Sequence, residues 1–322
     1  MFRAVRVAAL TLLLCASAFG GAQAQKRETI SFESRQKGEP VQVTAEITWP
    51  ANPGGGPVPA MVIHHGSGGV GEREAHYVRE LVPMGVATVV IDSFKPRGVT
   101  STVLDQSAVT GQDFNLDALA ALKALAADPR IDRRRIGIMG FSKGGTSALM
   151  ASHEQLVLAA GGTPGGPRYA LHVPLYPSCY SHYYQPHTTG APIYLLLGGA
   201  DTYVGYEPCV SYGEALRAAG ATIQTKVFPG AMHGFDYGPR YSIPNGENYS
   251  KCVNQQQPDR SWVMRDSGIV TFGPGGKPIP GAIANAVAAC KTLGVKGGAD
   301  DAAAKQSMED LKAYVRRHLL GG

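Results

Sequence analysis

Apolar residues along this chain come in two alternating rhythms. Short, nearly unbroken apolar runs occupy 60–65, 86–91, 136–139, 170–175 and 193–197, and the more mixed stretch 222–228 reads as a further strand. Runs of this length without a polar face predict strands buried on both sides. Between them, 72–82 sets Ala75, Val78 and Leu81 or Val82 at helical spacing, and 113–127 does the same with Leu116, Leu119, Ala120 and 122–126. A further helix is predicted near 212–218, and an amphipathic one, 301–320, closes the chain. Strand, helix, strand, helix is the rhythm of a parallel sheet covered on both faces. The first stretches after residue 25 differ in kind. In 28–34 and 41–49 apolar and polar residues alternate, which predicts an antiparallel pair at a sheet edge, followed by a Pro- and Gly-rich turn over 50–59.

The run 136–139 breaks into Gly140-Phe141-Ser142-Lys143-Gly144 before a helical stretch. A strand-to-helix turn this tight brings backbone against backbone, so its flanks need residues without side chains. Ser142 is thereby held above the sheet edge as a candidate nucleophile. The N–H of Lys143 opens the helix and can face a developing oxyanion.

A serine hydroxyl is a weak nucleophile at neutral pH, so it needs an imidazole within reach, and that imidazole needs a carboxylate on its other nitrogen. Two loops supply them. Gly198-Gly199-Ala200-Asp201 ends one strand, and Pro229-Gly230-Ala231-Met232-His233-Gly234-Phe235 follows the last. Asp201 and His233 are the expected acid and base, with Asp236 a rival acid by residue type only. After the strand ending at His65, Gly66-Ser67-Gly68-Gly69 either supplies the second oxyanion donor, Ser67 or Gly68, or is simply a flexible turn. Arg97 follows the strand 86–91, where it would either bind a substrate carboxylate or pair with a structural acid. The cluster 177–187 holds Tyr180 and His182, which could line a substrate pocket, together with His187. A solvent-facing loop pinned by Cys179 is the alternative. No carboxylate joins the two histidines, so no metal site is expected there.

Composition adjusts the picture in three places. The chain has 322 residues, 44% hydrophobic and 17% charged, which suits one large α/β domain, and it carries a net charge of +5. Arg3 and Arg6 precede an apolar segment, 7–19, and Ala22-Gln23-Ala24 gives the small-x-small pattern that signal peptidase cuts. Residues 1–24 therefore read as a secretory signal peptide, too short in its apolar part to span a bilayer, and the mature domain as 25–322. The expected location is the periplasm or the extracellular medium, with no membrane anchor after cleavage. The remaining charge is too mild and scattered to argue for nucleic acid. Four cysteines remain, Cys179, Cys209, Cys252 and Cys290, an even number that in an exported chain points to disulfides. Three connectivities are open, and pairing in sequence order, 179 with 209 and 252 with 290, is the expectation.

The motifs G-F-S-K-G-G, the G-A-D at 199–201 and P-G-A-M-H-G-F at 229–235 resemble the dienelactone hydrolase family of α/β-hydrolases over about 58–236. The resemblance implies an α/β-hydrolase fold with a mostly parallel central sheet. It also implies a cofactor-free hydrolase in which Ser142, His233 and Asp201 act together on a small-molecule ester or lactone. Two departures stand out. The family's founding enzymes use a cysteine where this chain has Ser142, and its cytoplasmic members lack both a signal peptide and the stretch 236–298. That stretch is expected to be an insertion near the active-site mouth, or else a cover for a sheet edge. The rival readings are a serine peptidase of the prolyl oligopeptidase type, against which the lack of a propeller-sized N-terminal region argues, and a non-catalytic binding protein.

Overall fold

The computed structural model describes residues 25–51 and 55–321, so the expected signal segment lies outside the described residues. The central sheet has eight strands: β1 (Arg27–Gln36), β2 (Glu39–Thr48), β3 (Val58–His64), β4 (Ala87–Asp92), β5 (Ile131–Phe141), β6 (Leu171–Leu175), β7 (Ile193–Gly198) and β8 (Ile223–Phe228). Their spatial order is β1-β2-β4-β3-β5-β6-β7-β8. β1 and β2 form the antiparallel edge pair that alternation predicts, β2 joins β4 antiparallel, and the other pairings are parallel.

β3 shows why its run is continuous. All seven of its residues are buried, and successive side chains serve opposite layers. Met61 and Ile63 join Tyr77, Leu81 and Val315 on one face, while Ala60 and Val62 join Ala118, Leu122 and Leu125 on the other. The first layer is covered by α1 (Glu72–Leu81) and, after α2 to α6, by the chain-closing α7 (Asp301–Val315), which runs on into a π-helical turn, Arg316–Leu320. The second is covered by α2 (Gly111–Ala127), α3 (Lys143–Met150) and α5 (Glu207–Ala218), with the short α4 (Glu154–Ala159) between the last two.

Two sequence expectations shift. α2 starts before residue 113 because Thr110 caps it: the Asp113 N–H donates to Thr110 Oγ1, and the Thr110 N–H returns a bond to Asp113 Oδ2 at 2.8 Å. The helix is also rotated from the expected face. It buries Phe114, Asp117, Ala118, Ala121, Leu122 and Leu125, leaving Leu116, Leu119 and Ala120 only partly covered. The reason is electrostatic. Asp117 turns inward to meet Arg97, and both side chains are fully buried.

Residues beyond His233 form two small sheets. Tyr241–Asn248 pairs antiparallel with Thr292–Gly297. Asn254–Gln256, Trp262–Met264, Val270–Gly273 and Lys277–Pro278 make the second, which also takes in Ser181–His182, and α6 (Ala282–Cys290) packs beside it. Disulfides join Cys179 to Cys209 and Cys252 to Cys290. No described helix is long and apolar enough to cross a membrane.

Candidate active site

Ser142 stands between β5 and α3 with φ 54° and ψ −112°, in the left-handed region that a side chain ordinarily avoids. Its neighbours explain how the turn is held. The Ser142 N–H donates to Leu175 O at 3.0 Å, and Ser142 O accepts from the Thr146 N–H at 2.8 Å. A Cβ on Gly140 would lie 2.3 Å from Gly144 O, one on Gly144 2.1 Å from His64 O, and one on Gly145 2.5 Å from Leu175 O. The sequence accounts for the first two glycines. Gly145 is a third, and the doubled glycine of G-F-S-K-G-G was its visible signal.

The loop after β3 packs directly on this elbow. His65 is fully buried and neutral: Nδ1–H donates to Gly66 O at 2.7 Å, and Nε2 accepts from the Ser93 N–H at 3.2 Å. Burial pushes its imidazole down to about 4. His64, also buried and held well below the ordinary histidine range by desolvation, bridges Ser93 Oγ at 2.9 Å and Ser147 Oγ at 2.7 Å. Ser67 O accepts from the Thr102 N–H at 2.8 Å, so the loop is tied to the segment above it.

Asp201 and His233 are brought together by backbone contact between their turns. The Gly199 N–H donates to Phe228 O at 2.8 Å and the Ala200 N–H to Ala231 O at 2.9 Å. A Cβ on Gly198 would lie 2.5 Å from Ala231 O, so that closeness requires glycine. His233 Nδ1 lies 2.7 Å from Asp201 Oδ2. The other oxygen, Oδ1, accepts from the N–H groups of Tyr203 at 2.8 Å and Val204 at 3.1 Å, which fixes the carboxylate plane. The His233 ring is packed by Tyr176 and Tyr203, at centroid distances of 4.8 and 4.6 Å. Asp236 faces elsewhere, accepting from Tyr77 Oη at 3.0 Å and Tyr176 Oη at 2.5 Å and pairing with Arg73 at 3.4 Å. Ser142 and His233 border one cavity.

Two cavities meet at Ser142. The larger, about 430 Å³, is bordered by Lys143, Tyr180, Tyr203, Val204 and, from the segment after His233, Glu247, Tyr249 and Val287. The smaller, about 210 Å³, is bordered by Gly66, Ser67, Gly68, Gly69, Arg73, Tyr176, His233 and Tyr241. Ser67 and Tyr203 belong to both. Tyr203, Glu247 and Tyr249 were not singled out by the sequence. Tyr203 follows Asp201 by two positions, and the other two sit in a segment whose polar pattern predicts no contact with the sheet.

Lys143 is half-buried, with Nζ donating to Thr102 Oγ1 at 3.0 Å, Gln106 O at 3.4 Å and Val109 O at 2.6 Å. Burial pushes its ammonium down to about 7.

Two substrate-binding expectations are corrected. Arg97 does not reach either cavity: its guanidinium is buried under α2, giving Asp117 bonds of 2.7 and 2.8 Å and Ser93 O another of 2.7 Å. A charge withdrawn from water needs its partner at hand, and Asp117 supplies it. His182 lies in the small sheet, its ring stacked on Tyr212 at 4.6 Å, because the Cys179–Cys209 bridge draws its loop onto α5. Of that cluster, Tyr180 and Ser178 border the larger cavity. Among the described residues no three His, Cys, Asp or Glu side chains gather as a metal site.

The sequence matches the model of the dienelactone hydrolase family over residues 43–255. A protein of Methylorubrum extorquens, provisionally described as a carboxymethylenebutenolidase, is 30% identical over 201 residues, 58% of this chain and 67% of that one. Among solved structures, a dienelactone hydrolase-like promiscuous phosphotriesterase from metagenomic libraries superposes with a TM-score of 0.52 at 16% identity, over 91% of this chain and 98% of its own. Thermogutta terrifontis esterase 2, phosphorylated by paraoxon in its crystal, gives 0.50 at 18% identity over 65% of this chain and 85% of its own. These two likenesses show the α/β-hydrolase fold. With the family match spanning the elbow, the acid turn and the histidine turn at one sheet edge, this chain belongs to the dienelactone hydrolase family and is a hydrolase.

Proposed function

We propose that the protein is a serine hydrolase of carboxylic esters, lactones included, working through an acyl-enzyme. The observation that carries this reading is Ser142, strained at φ 54° and bordering the same cavity as His233, whose Nδ1 lies 2.7 Å from Asp201. His233 takes the Ser142 proton at Nε2 as Oγ bonds to the ester carbonyl carbon. The same proton then passes to the departing alkoxide as the acyl–oxygen bond breaks. A water molecule repeats the sequence on the acyl-enzyme and frees the acid. Asp201 holds the imidazole in the tautomer with its proton on Nδ1 and stabilises the imidazolium. The backbone N–H of Lys143, with that of Ser67 or Gly68, faces the oxyanion.

Ser142→Ala and His233→Ala should each lower turnover of an activated ester by several orders of magnitude, with the double variant little worse than either, since such groups act as a unit. Asp201→Asn should lose about 10⁴-fold, the value of the serine-protease example from which the rule is taken. Asp236→Asn should be mild on activity. Full esterase activity in Ser142→Ala removes the mechanism, and a reversed ranking of the two aspartates moves the acid to position 236.

The same reading places the protein outside the cytoplasm, in keeping with two disulfides in so small a chain. N-terminal sequencing from the native host should find a chain starting near Gln25, and an intact Met1 chain in the cytoplasm refutes export.

A further inference from the structure

The two cavities differ in a way that assigns the two halves of a substrate. Both open on Ser142, and the ring of Tyr203 borders each, so it stands as the shared wall between them. His233 borders the smaller cavity and not the larger. In the second half of acylation His233 must hand its proton to the leaving oxygen, which therefore has to sit on the imidazole's side of Ser142.

We propose that the smaller cavity receives the alcohol and the larger one the acyl group, so that the preferred substrates are esters of bulky, uncharged aromatic acids with short alcohols. This rests on the ester-hydrolase reading above. Size supports it, because an engineered apolar cavity of about 150 Å³ accepts benzene. The larger cavity, about 430 Å³, thus has room for a fused or substituted ring, while the smaller, about 210 Å³, holds a short alkyl group or at most a single ring. The lining supports it as well. Tyr180, Tyr203 and Tyr249 give the larger cavity three rings against which a flat acyl group can pack.

The charges along that wall are already committed. The Glu247 carboxylate accepts from the Gln106 N–H and Tyr249 Oη and pairs with Lys291 at 2.7 Å, and Lys143 Nζ donates to three oxygens. Neither is left to hold an ionised substituent. On the other side, Arg73 is balanced by Asp236.

The test uses two isomeric esters with the halves exchanged, ethyl 2-naphthoate and 2-naphthyl propionate, followed by chromatography of the released naphthoate or naphthol. Val287→Trp narrows the larger cavity and Ile243→Trp the smaller. The ratio of kcat/KM for the naphthoate ester to that for the naphthyl ester should fall by about tenfold or more in Val287→Trp and rise comparably in Ile243→Trp, the scale on which pockets discriminate small changes in bulk. Thermal melts of both variants establish that each is folded. For a variant that fails to fold, the milder Val287→Leu or Ile243→Phe replaces it, with the same directions expected at smaller size. Ratios that stay put, or move the other way, overturn the assignment while leaving the hydrolase intact. Failure of the wild type to cleave either ester overturns the ester reading itself, and this assignment with it.

Discussion

The buried pair of Arg97 and Asp117 offers the sharpest energetic test, because neither side chain touches water. Asp117 accepts two bonds from the guanidinium and one each from Ser34 Oγ and Ser93 Oγ, and Ser93 in turn contacts His64, which reaches Ser147 in the elbow helix. Asp117→Leu removes the carboxylate and leaves a guanidinium stranded with only the Ser93 and Arg35 carbonyls. Breaking a buried pair on one side costs about 3–5 kcal/mol, a large part of the roughly 5–15 kcal/mol that holds such a domain. Arg97→Met strands the carboxylate instead and should cost a similar amount.

The double variant exchanges the pair for packed apolar groups. It still leaves the Ser34 hydroxyl without the carboxylate it donates to, at about 1–3 kcal/mol, while Ser93 Oγ keeps His64 Nε2 at 2.9 Å as a partner. We therefore expect it to be no less stable than either single variant, which makes the coupling between the two positions at least as large as one single loss, about 3–5 kcal/mol. Urea unfolding is the suitable assay, since urea is uncharged and does not screen the pair as a guanidinium salt would. A loss below about 1 kcal/mol in Asp117→Leu, or strict additivity in the cycle, would falsify the view that this pair sets the rotation of α2.

Gly144→Ala should cost about 3 kcal/mol or more, or yield insoluble protein, since the new methyl group meets a backbone carbonyl that cannot swing aside; expression with a melting curve checks it. Cys252→Ser with Cys290→Ser should lower stability by about 4 kcal/mol on loop-closure arithmetic for a separation of 38 residues, read as a drop in unfolding midpoint that reducing agent no longer deepens. Burial pushes the Lys143 ammonium down to about 7, well below the ordinary lysine range, so above about pH 7 the unfolded chain binds the extra proton. Its contribution to stability therefore rises with pH from about 7 upward and is least below it. Lys143→Met should flatten the rise of the unfolding midpoint between about pH 7 and 9, and an unchanged slope refutes the assignment.

Much of the central sheet could be read from the chain because its inner parallel strands, such as β3 and β4, are covered on both faces and so are nearly continuous in apolar residues, whereas the edge strand β8 is mixed. Ser142, Asp201 and His233 were visible for a related reason: each directly follows a strand, so topology alone carries them to one edge. Asp117 was harder to interpret. An acid within an apolar helical stretch signals a buried partner, yet nothing local says that the partner is Arg97, twenty positions earlier on another element. The short strands at 254–256, 262–264 and 270–273 were not legible at all. They are only three or four residues long, too short for a period to show, and the pairing of 254–256 with Ser181–His182 is a tertiary event that no local period records.

The way the segment after His233 begins and ends has a consequence for how such a protein can change. Tyr241 lies opposite Gly297 and Asn248 opposite Thr292, so the chain leaves and returns at one place, and Cys252–Cys290 clasps the stem just beyond it. Gly297 also bridges to His233, and the Gly298 N–H donates to His233 O at 2.8 Å, so the return point is stitched to the base itself. Everything distal to that clasp is in effect a cassette. Its length and composition can be exchanged while the stem keeps the imidazole where it is, because closing a longer loop on a fixed stem costs only about 0.6 kcal/mol per doubling. Of the cavity lining only Val287 lies beyond the clasp, whereas Glu247 and Tyr249 stand at the stem, so exchange of the distal loop reaches the larger cavity at that one wall and leaves the rest of the site in place.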